Sequence, residues 1–222
     1  MYLNCHTYYS LRYGTFSEVA LLELARENEV TRLALTDINN TSACLNFVRR
    51  APDFGIQPIL GIDFRNGVEA CFVGIAKNNE GYRELNDFLS EHLHQEKEFP
   101  KRAPAFRDAF VIYPFEKVLL NDHYHFHEHE YIGISVTDLR RLPFSRLMEH
   151  KDKLLLQQPV TFRNKRDFNA HRLLRAIDNN VLLSKLPKEE EASPEDKMFP
   201  VRNLADVFSE YSFILKNTEQ LM

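Results

Sequence analysis

Arg32-Leu33-Ala34-Leu35-Thr36-Asp37-Ile38-Asn39-Asn40 reads as a strand that runs out into a carboxylate and a polar turn. Its apolar run has no polar face, so it belongs in a sheet covered on both sides. A second segment, Leu3-Asn4-Cys5-His6-Thr7-Tyr8-Tyr9-Ser10-Leu11, also ends a short strand on residues that carry chemistry. Asp63, closing the apolar stretch 56–64, supplies a third such end. In folds made of strand–helix repeats, chemistry gathers at the carboxyl ends of the strands. His6, Asp37 and Asp63 are therefore expected to share one site.

Working outward, strand-like and helix-like patterns alternate. A strand is predicted over 2–6. A helix follows Ser17, a good N-cap, with Val19, Leu21, Leu22, Leu24 and Ala25 on its apolar face. After the strand at 33–36, a helix over 42–50 is stopped by Pro52 and Gly55. Asn66-Gly67 lies between two strand patterns, 56–64 and 68–76, and signals a hairpin because both residues tolerate positive φ. A helix over 80–92 places Tyr82, Leu85, Phe88 and Leu89 on one side, and 93–108 reads as an exposed connection. Strands are expected at 109–113, 131–137 and 154–161. Helices are expected at 138–149, interrupted near Pro143, and at 167–177. The charged stretch 185–197 is expected to be mobile, with a helical segment after it. This order implies one α/β domain over 1–222, with a mostly parallel sheet or barrel and helices outside.

Composition narrows the class. The chain has 222 residues, 44% of them hydrophobic, with seventeen Phe, nine Tyr and no Trp, so the core should be aromatic-rich. No apolar run approaches the ~20 residues of a membrane span, and Met1-Tyr2-Leu3-Asn4 is no signal peptide. Cys5, Cys44 and Cys71 are widely spaced with no paired motif, which fits a reducing cytoplasm. A net charge of −4 gives no global nucleic-acid signal. Lys and Arg do outnumber Asp and Glu between Arg140 and Arg175, and the stretch after Asp178 is acidic. That asymmetry reads either as a solvated face beside an acidic tail or as a surface facing DNA or an acidic partner.

Three motifs in register resemble those of the PHP (polymerase and histidinol phosphatase) family. Cys5-His6-Thr7-Tyr8-Tyr9-Ser10-Leu11-Arg12-Tyr13-Gly14 resembles the family's opening His-x-His-Ser-x-Tyr-Ser-Leu-x-Asp-Gly. Leu33-Ala34-Leu35-Thr36-Asp37-Ile38-Asn39-Asn40 is similar to Ala-Leu-Thr-Asp-His-Gly-Asn, and Pro58-Ile59-Leu60-Gly61-Ile62-Asp63-Phe64 to Pro-Ile-Leu-Gly-x-Glu-Phe. Ala76-Lys77-Asn78-Asn79-Glu80-Gly81-Tyr82 and Asp167-Phe168-Asn169-Ala170-His171 narrow the resemblance to the PHP domain of the bacterial DNA polymerase III alpha subunit. Met198, Phe208 and Leu215-Lys216-Asn217-Thr218 resemble the segment that closes that domain.

The resemblance implies a distorted seven-stranded (β/α) TIM-like barrel, with polymerase regions and their magnesium-binding carboxylates beyond Met222. It also implies a strand-end centre of divalent metals, for which zinc, manganese or iron suit imidazole and carboxylate donors. Here His6, Asp37 and the shortened acid Asp63 stand at ligand positions, but Asn4 and Ile38 replace expected His residues. Neutral Asn is a poor transition-metal ligand and Ile is none. Ile112-Tyr113-Pro114-Phe115 and residues 162–165 also depart from the family pattern. The site reads as degenerate, with no metal or a weakly held one. Without metal, His6 and Asp37 are expected to form a buried hydrogen-bonded pair. A separate run places His123, His125, His127 and His129 at alternate positions; it reads as a solvated, variable loop before the strand at 131, although an extended chain would line the four on one side, where adventitious zinc or nickel could bind.

Three functions follow. The first is a structural and docking domain in DNA replication, supporting a polymerase body in cis, touching a proofreading exonuclease and meeting DNA through the parent protein. The second is an active metal-dependent 3'-5' exonuclease or phosphoesterase. The third is a small-molecule phosphatase resembling histidinol phosphatase.

Overall fold

The apolar runs become strands, and all but one of these point the same way. The computed structural model describes residues 1–119 and 125–221. Its strands are β1 (Asn4–Cys5), β2 (Arg32–Leu35), β3 (Gln57–Asn66), β4 (Glu69–Ala76), β5 (Ala109–Pro114), β6 (Glu130–Ile134), β7 (Leu154–Leu156) and β8 (Pro159–Val160). Six form one sheet in the order β2-β3-β4-β5-β6-β7, and β1 pairs with β8 in another. The hairpin strand β4 runs antiparallel to both of its neighbours. The fold is α/β as expected, with eight named strands in two sheets where seven in one barrel were expected.

The two sheets meet at both margins. On one side Tyr2 bridges Leu33, Ala34 N donates to Tyr2 O at 2.8 Å, and Thr36 N donates to Cys5 O at 3.0 Å. On the other, only Gln157 and Gln158 separate β7, which pairs with β6, from β8, which pairs with β1. Gln157 N still donates to Ile134 O at 2.9 Å, and the Gln158 side-chain oxygen accepts from Val136 N at 3.1 Å. The single strand expected over 154–161 is therefore bent in two, because each half must satisfy a different neighbour's backbone.

Seven α-helices are described: α1 (Glu18–Glu27), α2 (Cys44–Arg50), α3 (Asn79–His94), α4 (Phe115–Leu119), α5 (Lys165–Asp178), α6 (Val201–Val207) and α7 (Ser212–Gln220). Polar caps start the three longest. Ser17 accepts from Ala20 N, Asn78 from Gly81 N, and Asn164 from Arg166 N and Asp167 N. The helix expected at 138–149 is absent. Three 3-10 segments replace it, Asp138–Arg140, Leu142–Phe144 and Arg146–Lys153, with Pro143 inside the second. Proline has no N–H to continue an α-helical ladder. At the hairpin only Gly67 takes a positive φ, 61°, while Asn66 remains in β3.

Asn66 does other work. Its side-chain amide donates to Phe99 O at 2.9 Å and accepts from Phe99 N at 2.8 Å. This clamp seats Phe99 in the core, and Phe106 is buried as well, so the connection 93–108, expected to be exposed, carries two buried rings. They join Phe64, Phe72 and Phe88, with Phe64 and Phe72 centroids 4.9 Å apart and Phe88 edge-on to Phe106 at 5.5 Å. The buried Glu130 carboxylate ties the same connection to β6, accepting from Arg102 at 2.8 Å and from the Tyr113 hydroxyl at 2.9 Å.

The stretch 185–197, expected to be mobile, is fastened at several points. Glu191 accepts from Arg172 at 2.7 Å, Glu190 pairs with Arg175 at 2.5 Å, and Glu195 O accepts from the Gln158 amide at 2.7 Å. No helix of the described residues is long and apolar enough to cross a membrane.

Phe72 is fully buried and touches the rings of Phe64, Phe88, Phe106 and Tyr113. Phe72→Ala is expected to destabilise the chain by about 3–5 kcal/mol. Urea unfolding followed by circular dichroism measures this, and a loss below ~1 kcal/mol would contradict the packing described.

Candidate functional site

The three strand ends converge as the sequence implies. His6 follows β1, Asp37 follows β2, and Asp63 lies on β3, each with at most 1% of its surface exposed. Backbone bonds fix their spacing. His6 N donates to Val160 O at 2.9 Å, Asn39 N donates to Asp63 O at 3.0 Å, and Ile38 bridges Asp63.

His6 pairs with Asp63 rather than with Asp37. Its Nε2 lies 3.0 Å from Asp63 Oδ2, and its Nδ1 lies 3.0 Å from the Thr161 hydroxyl. A carboxylate can only accept, so Nε2 carries the proton. Asp37 is held by the loop that follows β1. Oδ1 accepts from Thr7 N at 2.6 Å and from Ser10 Oγ at 2.7 Å, and Oδ2 accepts from Thr7 Oγ1 at 2.7 Å. Ser10 Oγ in turn accepts from Ile38 N at 2.9 Å. Gly14 lets this loop close, because a Cβ there would fall 1.8 Å from Thr7 O.

A fourth residue enters the site. Arg65, two positions beyond Asp63, donates to Asp63 Oδ2 from Nη2 at 2.6 Å and from Nε at 3.0 Å. Its guanidinium carbon lies 4.9 Å from the centre of the Tyr13 ring. A register shift after Phe64, where Arg65 opposes Ala70 and Cys71 is skipped, adds local twist beside it. An open cleft of about 580 Å³, lined partly by Asn39, Arg65 and Glu69, lies outside.

Electrostatics differ between the two acids. Burial drives the Asp37 carboxyl above its ordinary range, against the Ser10 and Thr7 hydrogen bonds. Burial also works against ionised Asp63, but the Arg65 charge and the His6 bond outweigh it, and its pKa is lowered. Desolvation disfavours the Arg65 cation, yet Asp63 raises its pKa on balance. Asp196 is pushed up to about 7 by burial, with Arg65 opposing.

Asn4 and Ile38 meet other partners. Asn4 Oδ1 accepts from the Thr36 hydroxyl at 3.0 Å, joining β1 to the end of β2. Ile38 packs against Tyr13, Phe162 and Ala192. Of the alternating histidines, His123 lies outside the described residues. His127 and His129 stack at 6.0 Å, and His125 is exposed. Among the described residues no three His, Cys, Asp or Glu side chains are grouped to hold a metal ion.

The donor set does not fit a metal centre as arranged. The Nε2 proton of His6 points at Asp63, Asp37 receives three donors from its own loop, and a guanidinium lies where Asp63 would meet a cation. One buried acceptor, Asp63 Oδ1, lacks a partner. Sequence reasoning missed Arg65, Tyr13, Thr7, Ser10 and Thr161. Arg65 was legible in principle, because residues i and i+2 share a strand face.

Behind the site, His171 on α5 is fully buried. Its Nε2 accepts from Ala192 N at 2.9 Å, which leaves Nδ1 to donate to Tyr13 O at 2.8 Å. Its ring meets the Tyr13 ring edge-on at 4.6 Å. Burial lowers its pKa from 6.5 to about 4.

A family model described as the PHP domain matches residues 3–163. The DNA polymerase III subunit alpha of Ureaplasma parvum is 36% identical over 97 residues, covering 44% of this chain and 10% of that protein. The DNA polymerase III subunit alpha of Halalkalibacterium halodurans is 24% identical across 100% of this chain and 22% of its own length. The chain therefore spans between 10% and 22% of the length of these two relatives. An amidohydrolase from Chromobacterium violaceum, solved with bound sulfate and no metal, aligns over 93% of this chain and 96% of its own. Its 12% identity and TM-score of 0.35 are too loose a likeness to carry an argument.

His171 gives the site a pH signature. On acidification the unfolded chain takes up a proton near 6.5, whereas the folded chain resists until about 4. The stabilisation from neutral His171 is complete above pH 6.5 and is lost as pH falls toward 4, by about 3 kcal/mol at most. Melting temperatures from pH 7 to 4 should fall more steeply in the wild type than in His171→Gln. Parallel curves would contradict the assignment.

Proposed function

This chain belongs to the PHP domain family, and from that premise we propose that it is the PHP domain of a bacterial replicative DNA polymerase alpha subunit, serving as a structural and docking element. The two relatives named as that subunit support the polymerase context. The single observation that carries the structural role is the closure of the strand-end site by the chain's own groups, above all Arg65 on Asp63. The seven-stranded barrel that the family resemblance implies is part of this reading, with β7 and β8 taken as one bent strand.

In this reading the ring supports a polymerase body in cis and offers its outer face to a proofreading exonuclease. Exposed Arg140, Arg146 and Lys151 lie toward DNA bound by the parent protein, since Lys and Arg neutralise phosphates irrespective of sequence. The parent would use magnesium for nucleotide transfer, whereas this domain contributes no ligand to it. The cytoplasm suits Cys5, Cys44 and Cys71, all free and buried.

A second reading, metal-dependent 3'-5' exonuclease or phosphoesterase, draws on one observation. Asp63 Oδ1 is buried and unpartnered, an acceptor open to a further group. A histidinol-phosphatase-like activity has no comparable support.

The purified chain, stripped with chelator and then given manganese or zinc, is expected to release no nucleotide from labelled single-stranded DNA and no phosphate from histidinol phosphate. Manganese- or zinc-dependent turnover that disappears in Asp63→Asn would sink the structural reading and establish the hydrolytic one.

A further inference from the structure

At the strand-end site a largely buried cation, Arg65, meets Asp63, and the chain itself supplies it. The Arg65 side chain is 10% exposed and the Asp63 side chain 1%. A carboxylate in such surroundings is costly unless it is paired and hydrogen-bonded. Three donor nitrogens, two from Arg65 and one from His6, converge on the single oxygen Oδ2. Oδ1 faces none. The electrostatic demand of the site is thus met on one side by a fixed organic cation.

The fold locates that cation from two directions. The Asn39 side-chain amide donates to Arg65 O at 2.8 Å and accepts from Arg65 N at 3.0 Å, so it continues the strand ladder beyond β2. Asn39 reaches this position with a φ of 48°, a conformation Asn tolerates better than most residues. At the other end the Tyr13 ring lies against the guanidinium at 4.9 Å. Tyr13 is in turn set by His171, which bonds its carbonyl and meets its ring. All three strand-end motifs therefore touch Arg65 or its carboxylate: His6 and Tyr13 from the first, Asn39 from the second, and Asp63 from the third.

We propose that Arg65 is a resident counter-cation that takes the charge-neutralising and cross-linking role of a metal ion at these strand ends, so that the motifs lock together without metal. The proposal rests on the structural reading above and deepens it. A guanidinium and a divalent ion on Asp63 Oδ2 exclude one another by charge and by space. Removing the guanidinium should therefore leave a latent cation site formed by Asp63 and His6.

The test compares the 222-residue chain, untagged, with Arg65→Met, Arg65→Lys and Arg65→Ala. The readouts are melting temperature with chelator, manganese or zinc, and metal content by mass spectrometry after gel filtration. The wild type should melt at the same temperature, within about 1 °C, under all three conditions and retain no stoichiometric ion. Arg65→Met keeps the bulk but strands the buried carboxylate, and should melt about 10 °C lower. Arg65→Lys keeps the charge without the two-pronged contact and should fall between the two. Manganese or zinc should raise the melting temperature of Arg65→Ala but not that of the wild type.

A wild type that carries about one ion and loses stability on chelation would overturn the proposal, as would an Arg65→Met variant as stable as the wild type. If Arg65→Met does not fold, the wild-type chelation result and the Arg65→Lys melt decide. A bound ion without hydrolysis would remove the role of Arg65 and leave the structural reading standing. Metal-dependent hydrolysis that persists in Asp63→Asn, with Arg65 variants that melt as expected, would do the reverse.

Discussion

A carboxylate buried on β3 has to be neutralised, and the rest of the site is arranged around how Asp63 meets that requirement. Its neighbour on the same strand face, Arg65, supplies the charge, and His6 supplies a further hydrogen bond from a different strand. Breaking such a pair is far more damaging than never having built it, because the remaining charge is left without solvent or partner. Asp37 illustrates the other solution. It sits among neutral donors from Thr7 and Ser10, and burial pushes its pKa up where that of Asp63 is held down.

The parallel strands make these meetings possible. Parallel strands deliver their carboxyl ends to one side, so residues distant in the chain come within hydrogen-bond reach. The bend at Gln157 and Gln158 matters as much as any strand. It frees β8 to pair with β1, and that pairing fixes the backbone of His6 through Val160. Thr161, the next residue, then meets the His6 ring. Local backbone satisfaction and side-chain placement are one problem at this margin.

Behind the site a second layer holds the first. The stretch after α5 packs onto that helix through Arg172 and Arg175, and its Ala192 N–H fixes the tautomer of His171. His171 positions Tyr13, and Tyr13 lies under Arg65. A charged sequence that reads as mobile thus becomes part of the support, because its acidic groups find buried or half-buried Arg partners. This chain of contacts links residues 190–192 to the strand ends.

The sequence by itself determined the alternation of strands and helices, the polar caps at Ser17, Asn78 and Asn164, and the three motif positions at His6, Asp37 and Asp63. Those features are local: periodicity, capping chemistry and short spacings are written in consecutive residues. Only the tertiary structure decided which acid His6 would meet, that Arg65 would turn inward, that Asn66 would clamp Phe99 rather than make the turn, and that one apolar run would bend into β7 and β8. Each of these depends on which groups lie across a strand or beneath a helix, and hydrogen bonds and charge pairs form with whatever partner geometry supplies. Pattern in one dimension fixes what a residue is able to do, while the choice among its possible partners is made in three.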